Sequence, residues 1–293
     1  MPLPLVAESP GPTRDVLGQT ETTQSALDDN TESQDNSGSN NEDLDPSMSP
    51  DASDGQESKT IIDLIQIVPK ANGSVRQNSE GRLLLTTVTV WGGPSFYMSL
   101  PEAIYHYFSP NQVVMPTEAV YGFNRTSEEI NQENQESMEN SQDSAVTAAL
   151  NFLGLTSDDY EIKVSLNDVG GPSAGLMFTL GILQKIGPMD LTKGSVIAGT
   201  GEISTDGVIG AIGGINQKIA GAKRDEAKLF LFPFDNCSAI NRNSMAALPL
   251  YPVANINEAV QILENETFTS DLSSDEIYDQ NLARLSKVCF IND

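Results

Sequence analysis

Residues 170–175 read GGPSAG, and their chemistry turns on Ser173. Gly170 and Gly171 permit backbone geometry closed to other residues. Pro172 fits the first position of a helix, and Leu176, Leu180 and Leu183 supply a core face beyond it. Ser173 is therefore predicted at a helix N-terminus, where unpaired N–H groups can hold a developing oxyanion. Ala174 and Gly175 leave room for another segment to approach. The plainer reading makes Ser173 a cap of its own helix. A phosphate-cradling loop is disfavoured, because the chain contains no G-x-x-x-x-G-K-[ST] and no G-x-G-x-x-G follows a predicted strand here.

A serine nucleophile needs a general base. His106 is the single histidine; it stands between two tyrosines in AIYHYF and reads as a packed helix residue. Without it no Ser-His-Asp triad can be built. A lysine can serve if burial lowers its pKa. In GINQKIAGAKRDEA, a spacing of about 100° per residue puts Ile215, Lys218, Ile219 and Ala222 on one side. Lys223 drifts to the edge and Arg224 points away. A cation on an apolar face either loses its charge, finds a partner or snorkels to the surface. Thr200, at the end of a predicted strand, could orient an amine through its hydroxyl. Glu202 is a cap partner or a rim charge.

These residues need elements to position them. TIIDLIQIVPK and RLLLTTVTVWG read as strands joined by an Asn72-Gly73 turn. SLPEAIYHYF reads as a short helix with Pro101 in its first turn. Ser127 to Phe152 reads as a long helix ended by Gly154, with a solvated Asn/Gln-rich first half and Met138, Ala145, Ala149 and Phe152 on one face. From Tyr160 strands and helices alternate: YEIKVSL, PSAGLMFTLGILQKIG, GSVIAGTGEIS with a turn at Asp206-Gly207, GINQKIAGAKRDEA, KLFLFP, CSAINRNSMAAL, PLYPVAN and INEAVQILEN. The fold class is α+β (mixed α/β). The polar tail ends in LARLSKVCFI, which can dock back.

The 293 residues carry a formal net charge of −25. That balance disfavours nucleic acid and anionic lipid, which need clustered Lys and Arg. Residues 1–59 alone hold 13 acidic against two basic side chains, and 21–59 reads as an acidic, disordered linker. No stretch approaches the roughly 18 apolar residues of a membrane helix, and the first residues lack a signal-peptide pattern. Cys237 and Cys289 can form one disulfide or remain two unrelated buried thiols.

GGPSAGLMFTLGI, IAGTGEISTDGVIGAIGGINQKIAGAKRDEAKLFLFP and the following DNC closely resemble the proteolytic domain of the Lon protease family, from about Tyr160 to Glu264. The resemblance implies the Lon proteolytic-domain fold, shared with the second domain of ribosomal protein S5, preceded by a β-containing N-terminal extension. It implies a Ser-Lys dyad: Ser173 as nucleophile, Lys218 as general base and Thr200 as the hydroxyl that bonds the lysine. Many Lon domains carry an acidic residue three positions before the nucleophile; here Gly170 stands there, and Asp168 is displaced by two.

The N-terminal half adds a narrower resemblance. ESPGPTRDVLG, GRLLLTTVTVWGGPS, VVMPTEAVYGFNRTSEE and SMENSQDSAVTAALNFLG are similar to the membrane-anchored PDZ-Lon proteins of bacteria. Only Leu155 to Asp159 separate Gly154 from the next strand, far short of the roughly 50 residues of a small domain, so the PDZ module is expected to be missing, as is the anchor. The expected organisation is 1–20 following an absent anchor, 21–59 linker, 60–154 N-terminal β/α region, 160–266 Lon-type proteolytic domain and 267–293 tail.

The expectation is an ATP-independent serine endopeptidase acting on flexible or misfolded proteins through an acyl-enzyme, with backbone N–H groups of Gly171, Ser173 and Ala174 holding the oxyanion. No cofactor, metal or nucleic acid is expected. Substrates are proteins or peptides, a homo-oligomer stays open, and any membrane tether lies outside the chain. The native relatives would place the catalytic domain outside the cytoplasm, which a Cys237–Cys289 bond would suit. Two rivals are a galactokinase-like small-molecule kinase, which shares the fold, and a non-catalytic scaffold that binds partners through its acidic helix.

Overall fold

The computed structural model describes residues 3–22, 60–70, 73–76, 80–166, 170–267 and 272–289. In chain order the elements are β1 (Leu5–Asp15), β2 (Gln19–Thr22), β3 (Thr60–Asp63), β4 (Ile65–Pro69), β5 (Arg82–Trp91), α1 (Leu100–Phe108), β6 (Val113–Pro116), α2 (Thr117–Tyr121) and α3 (Ser127–Leu153). There follow β7 (Tyr160–Val164), α4 (Gly175–Ile186), β8 (Val196–Gly199), β9 (Glu202–Ile203), β10 (Ile209–Gly210), α5 (Ile215–Arg224) and β11 (Leu229–Pro233). A 3₁₀ turn (Phe234–Ala239), α6 (Arg242–Met245), β12 (Leu250–Val253), α7 (Ile256–Asn265) and α8 (Ser274–Val288) complete the chain.

Two compact units form. Residues Thr20–Ile62 make the smaller one, bounded by the paired strands β2 and β3. The linker expected over 21–59 therefore begins inside β2 at Glu21 and Thr22; residues 23–59 lie outside the described residues. The larger unit is built on a six-stranded sheet in the order β12-β11-β8-β5-β1-β6. Strands β12, β11, β8 and β5 run parallel, while β1 is antiparallel to both β5 and β6.

Alternation along the strands buries both faces. Leu83, Leu85, Ile197, Leu229, Leu231 and Val253 join the core beneath α3, α4 and α7. Leu84, Ala198, Phe230, Phe232 and Leu250 join a second core with α5 and α8. Helices thus cover the two faces of one sheet, as a mixed α+β pattern predicts.

β1 is the largest element that the sequence pattern conceals. Its Pro10-Gly11-Pro12 run reads as a turn, yet it sits in a strand with a register shift between Pro10 and Thr13. A bulge there accommodates the prolines, which cannot donate to a ladder. A Cβ on Gly11 would meet Thr87 Oγ1 at 2.3 Å, so only glycine lets the strands close.

Other boundaries also depart from expectation. The stretch from Thr60 is two strands, β3 and β4, and β4 pairs antiparallel with β7 rather than with β5. β5 is instead held between β1 and β8, where Leu83–Leu85 are buried on both sides. Of the proposed turn, Asn72 lies outside the described residues. CSAINRNSMAAL divides into the 3₁₀ turn and α6. Ile240 is extended, and the Asn241 side chain caps α6 by accepting from the Ser244 N–H. The long helix runs Ser127–Leu153 and ends at Gly154 in the left-handed conformation, as expected.

The tail docks back through α8. Asn281, fully buried, donates to the Met245 and Leu248 carbonyls and accepts from the Leu250 N–H. Cys237 and Cys289 are bonded, with Cα atoms 5.6 Å apart, tying the end of α8 to the 3₁₀ turn. No helix among the described residues is long and apolar enough to cross a membrane.

Candidate active site

The carboxyl end of β8 gathers the candidate residues, as the ends of parallel strands commonly do in α/β sheets. Thr200 follows β8 directly. α4 begins near it on one face of the sheet, and α5 begins near it on the other. Ser173 precedes α4 and Lys218 lies in the first turn of α5, so the two side chains reach the same point from opposite layers.

Helix α4 starts at Gly175, with Ala174 as its cap, three residues later than Pro172 suggests. The carbonyls decide this. The Pro172 carbonyl accepts from Ser141 Oγ of α3 at 2.8 Å. The Ser173 carbonyl accepts from the Gly201 N–H at 2.9 Å and from Thr200 Oγ1 at 3.0 Å. These partners draw residues 172–173 out of helical pairing and pin the serine against the strand end. Gly175 and Gly201 allow this closeness. A Cβ on Gly175 would lie 2.8 Å from Ile203 Cγ2, and one on Gly201 2.8 Å from Ile209 Cγ2.

Ser173 is half-buried, while Lys218 is only 3 % exposed. The face predicted from helical spacing is the buried one: Ile215, Lys218, Ile219 and Ala222 are inside, Lys223 and Arg224 outside. Lys218 Nζ donates to Ser173 Oγ at 2.7 Å and to Thr200 Oγ1 at 3.1 Å. Burial pushes the ammonium down to about 7, against the Glu8 and Glu202 carboxylates, which hold it up.

Glu8 enters from β1, a strand absent from the sequence reading, and so its role escaped notice. It pairs across the sheet with Val90 and Val113. A Cβ on Gly214, the cap of α5, would lie 3.5 Å from Glu8 Oε2, which places the carboxylate beside the helix that carries Lys218. Burial raises the Glu8 pKa and Lys218 lowers it; the same two effects act on Glu202.

The backbone donors divide. Among the described residues, the N–H groups of Ser173 and Ala174 have no acceptor. The Gly171 N–H donates to the Asn134 carbonyl of α3 at 3.1 Å, which removes it from the expected set of three. Gly171 takes φ +89°, and a Cβ on Gly170 would come within 2.9 Å of Asn134 Cβ. The first half of α3, read as merely solvated, thus shapes the loop before the serine. Asp168 lies outside the described residues. His106 bonds Gln112 Oε1 through Nδ1 at 2.6 Å on α1 and takes no part in this site.

The arrangement can deliver a hydroxyl nucleophile beside a lysine that gives up its proton at about pH 7. Residues 130–265 match the Lon protease (S16) C-terminal proteolytic domain. That match begins within α3, about thirty residues before the stretch in which the motifs lie.

Curated relatives agree with that match. Lon protease 2 of Bacillus subtilis is 37 % identical over 100 residues, covering 32 % of this chain and 17 % of the relative. The Lon protease of Buchnera aphidicola subsp. Schizaphis graminum is 38 % identical over 105 residues, 33 % of this chain and 13 % of its own. That of Escherichia coli is 32 % identical over 135 residues, 41 % of this chain and 17 % of its own. The chain spans less than a fifth of the length of these relatives. The mixed α+β fold suits a Lon proteolytic domain over the matched residues.

Proposed function

We propose that the chain is a serine endopeptidase that works through a Ser173–Lys218 dyad and an acyl-enzyme. The observation that carries this reading is the 2.7 Å contact between Lys218 Nζ and Ser173 Oγ, with the amine almost wholly buried. In its neutral form Lys218 accepts the serine proton as Oγ attacks a peptide carbonyl, then returns it to the departing amine. Thr200 holds the amine in line: its own proton goes to the Ser173 carbonyl, so its oxygen is left to accept from Nζ. The N–H groups of Ser173 and Ala174 meet the oxyanion of the tetrahedral intermediate. Water then releases the acyl group by the same steps in reverse.

Substrates are flexible or misfolded segments, and cleavage by the dyad itself proceeds without ATP, because proton transfer between Ser173 and Lys218 needs no nucleotide. The N-terminal motifs that form β1, β5, β6 and α3 support a kinship with the bacterial PDZ-Lon proteins, which they resemble. The chain's catalytic layer faces an extracytoplasmic compartment, a placement that the Cys237–Cys289 bond suits.

The test is digestion of a reduced, alkylated protein without nucleotide. Wild type should cleave it at a rate indifferent to added ATP, and Ser173→Ala and Lys218→Ala should each abolish cleavage while leaving the circular dichroism unchanged. Retained cleavage in folded Lys218→Ala would overturn the choice of base.

A further inference from the structure

A cavity of about 520 Å³ opens on the side of α5 turned away from Lys218. Its walls come from Gln112 and Val113 at the start of β6, from Asn216, Gln217 and Lys223 of α5, and from Asn243 of α6. The volume falls in the roughly 300–1,000 Å³ range of ligand pockets. Gln217 precedes Lys218, but one helical step of about 100° turns it from the Ser173 side towards this cavity.

Most polar groups here are already engaged. Asn216 donates to the Ala239 carbonyl and accepts from the Asn241 N–H and Ser244 Oγ. Gln112 bonds His106, and Arg224 is held by Asp225 and the Gly11 carbonyl. Gln217 differs. It is 5 % exposed, and its carboxamide has no hydrogen-bond partner among the described residues, while its polar atoms are not among those sealed from the surface. Its amide atoms still reach water through the cavity, so a ligand offering one donor and one acceptor can take the place of that water. At the mouth, Lys223 is exposed and forms no ion pair among the described residues.

The adjoining strand narrows the ligand. β6 is the end strand of the six-stranded sheet, and β1 is its one ladder partner among the described residues. An end strand presents main-chain groups that an extended peptide can pair with. A peptide group also matches a carboxamide, one N–H and one C=O to each, whereas a sugar would leave the strand edge unused. We propose that this cavity binds an extended peptide segment bearing a carboxylate, with Gln217 pairing to a main-chain amide, the β6 edge at Val113 adding main-chain bonds, and Lys223 meeting the acid. The site is separate from the dyad and does not depend on hydrolysis.

The test uses the whole chain as Ser173→Ala, so that no probe is consumed, with a fluorescein-labelled Ser-Val-Thr-Glu-Val-Thr-Val-Ser amide and its twin carrying Gln for Glu. Anisotropy should show the Glu peptide binding about tenfold more tightly than the twin, the scale of one charge-assisted hydrogen bond. Lys223→Ala should erase that difference without touching the twin. Gln217→Leu should weaken both peptides about tenfold. A benzophenone-bearing Glu peptide should crosslink to α5 or β6, which keeps the proposal falsifiable if Gln217→Leu does not fold. Absence of binding at millimolar peptide, affinity indifferent to Lys223→Ala, crosslinks at residues 170–175, or oligosaccharides binding in the peptide's place would each overturn it.

Discussion

Thr200 Oγ1 accepts from Lys218 Nζ at 3.1 Å while donating its own proton to the Ser173 carbonyl at 3.0 Å. One hydroxyl thereby fixes both members of the proposed dyad, the amine directly and the serine through its backbone. Replacement by valine keeps the shape and removes the hydroxyl. Thr200→Val should lower kcat by about ten- to a hundredfold, the scale of losing one or two oriented hydrogen bonds. KM should change little, because the hydroxyl does not face substrate. Steady-state cleavage of a fluorogenic peptide separates the two constants; a raised KM with unchanged kcat would assign Thr200 to binding instead.

Acidity supplies a second check. Lys218 must be neutral to accept a proton, and burial sets its pKa at about 7. Cleavage should therefore fall about tenfold for each pH unit below that point and level off above it. Glu8 and Glu202 are the carboxylates that hold the ammonium up. Glu8→Gln removes one of them, so the ammonium loses a stabilising neighbour and its pKa drops further. The acid limb of the kcat/KM profile should move to lower pH, by on the order of one unit or less. A shift to higher pH, or none, would mean that Glu8 does not act on Lys218.

Much of this site is legible in the sequence, and what is missing has a physical reason. Lys218 could be chosen over Lys223 because a cation among Ile215, Ile219 and Ala222 repeats at helical spacing. INEAVQILEN reads as a helix for the same reason, and α7 spans those ten residues. Glu8 could not be chosen, because the Pro10-Gly11-Pro12 run hides β1. Only tertiary contact with Thr87 and the bulge reveals that the run lies in a strand. The start of α4 was misplaced because Pro172 obeys a local rule that the long-range bonds of Ser141, Thr200 and Gly201 override. Asn134 likewise acts through its main chain, which composition does not encode. Local periodicity exposes the face of a helix; which distant group fills the space opposite is written in pairing.

The buried amine of Lys218, proposed above as the general base, should also weaken the fold. In the unfolded chain Lys218 holds its proton up to its ordinary value of 10.5, whereas in the folded protein burial lets it go at about 7. Between those values the unfolded state binds more protons, so folding stability rises with pH across that window. Above it both states are neutral and the penalty vanishes; below about 7 both are charged and the penalty is full. Lys218→Met keeps a chain of similar length and has no charge to desolvate. The variant should be more stable than wild type, by up to about 5 kcal/mol at pH 6, with the gap narrowing steadily as pH rises from 7 to 10. Urea unfolding of both proteins at several pH values measures that gap. A variant less stable than wild type at pH 6, or a gap that widens with pH, would show that the buried ammonium is stabilised by its two carboxylates rather than penalised by its surroundings.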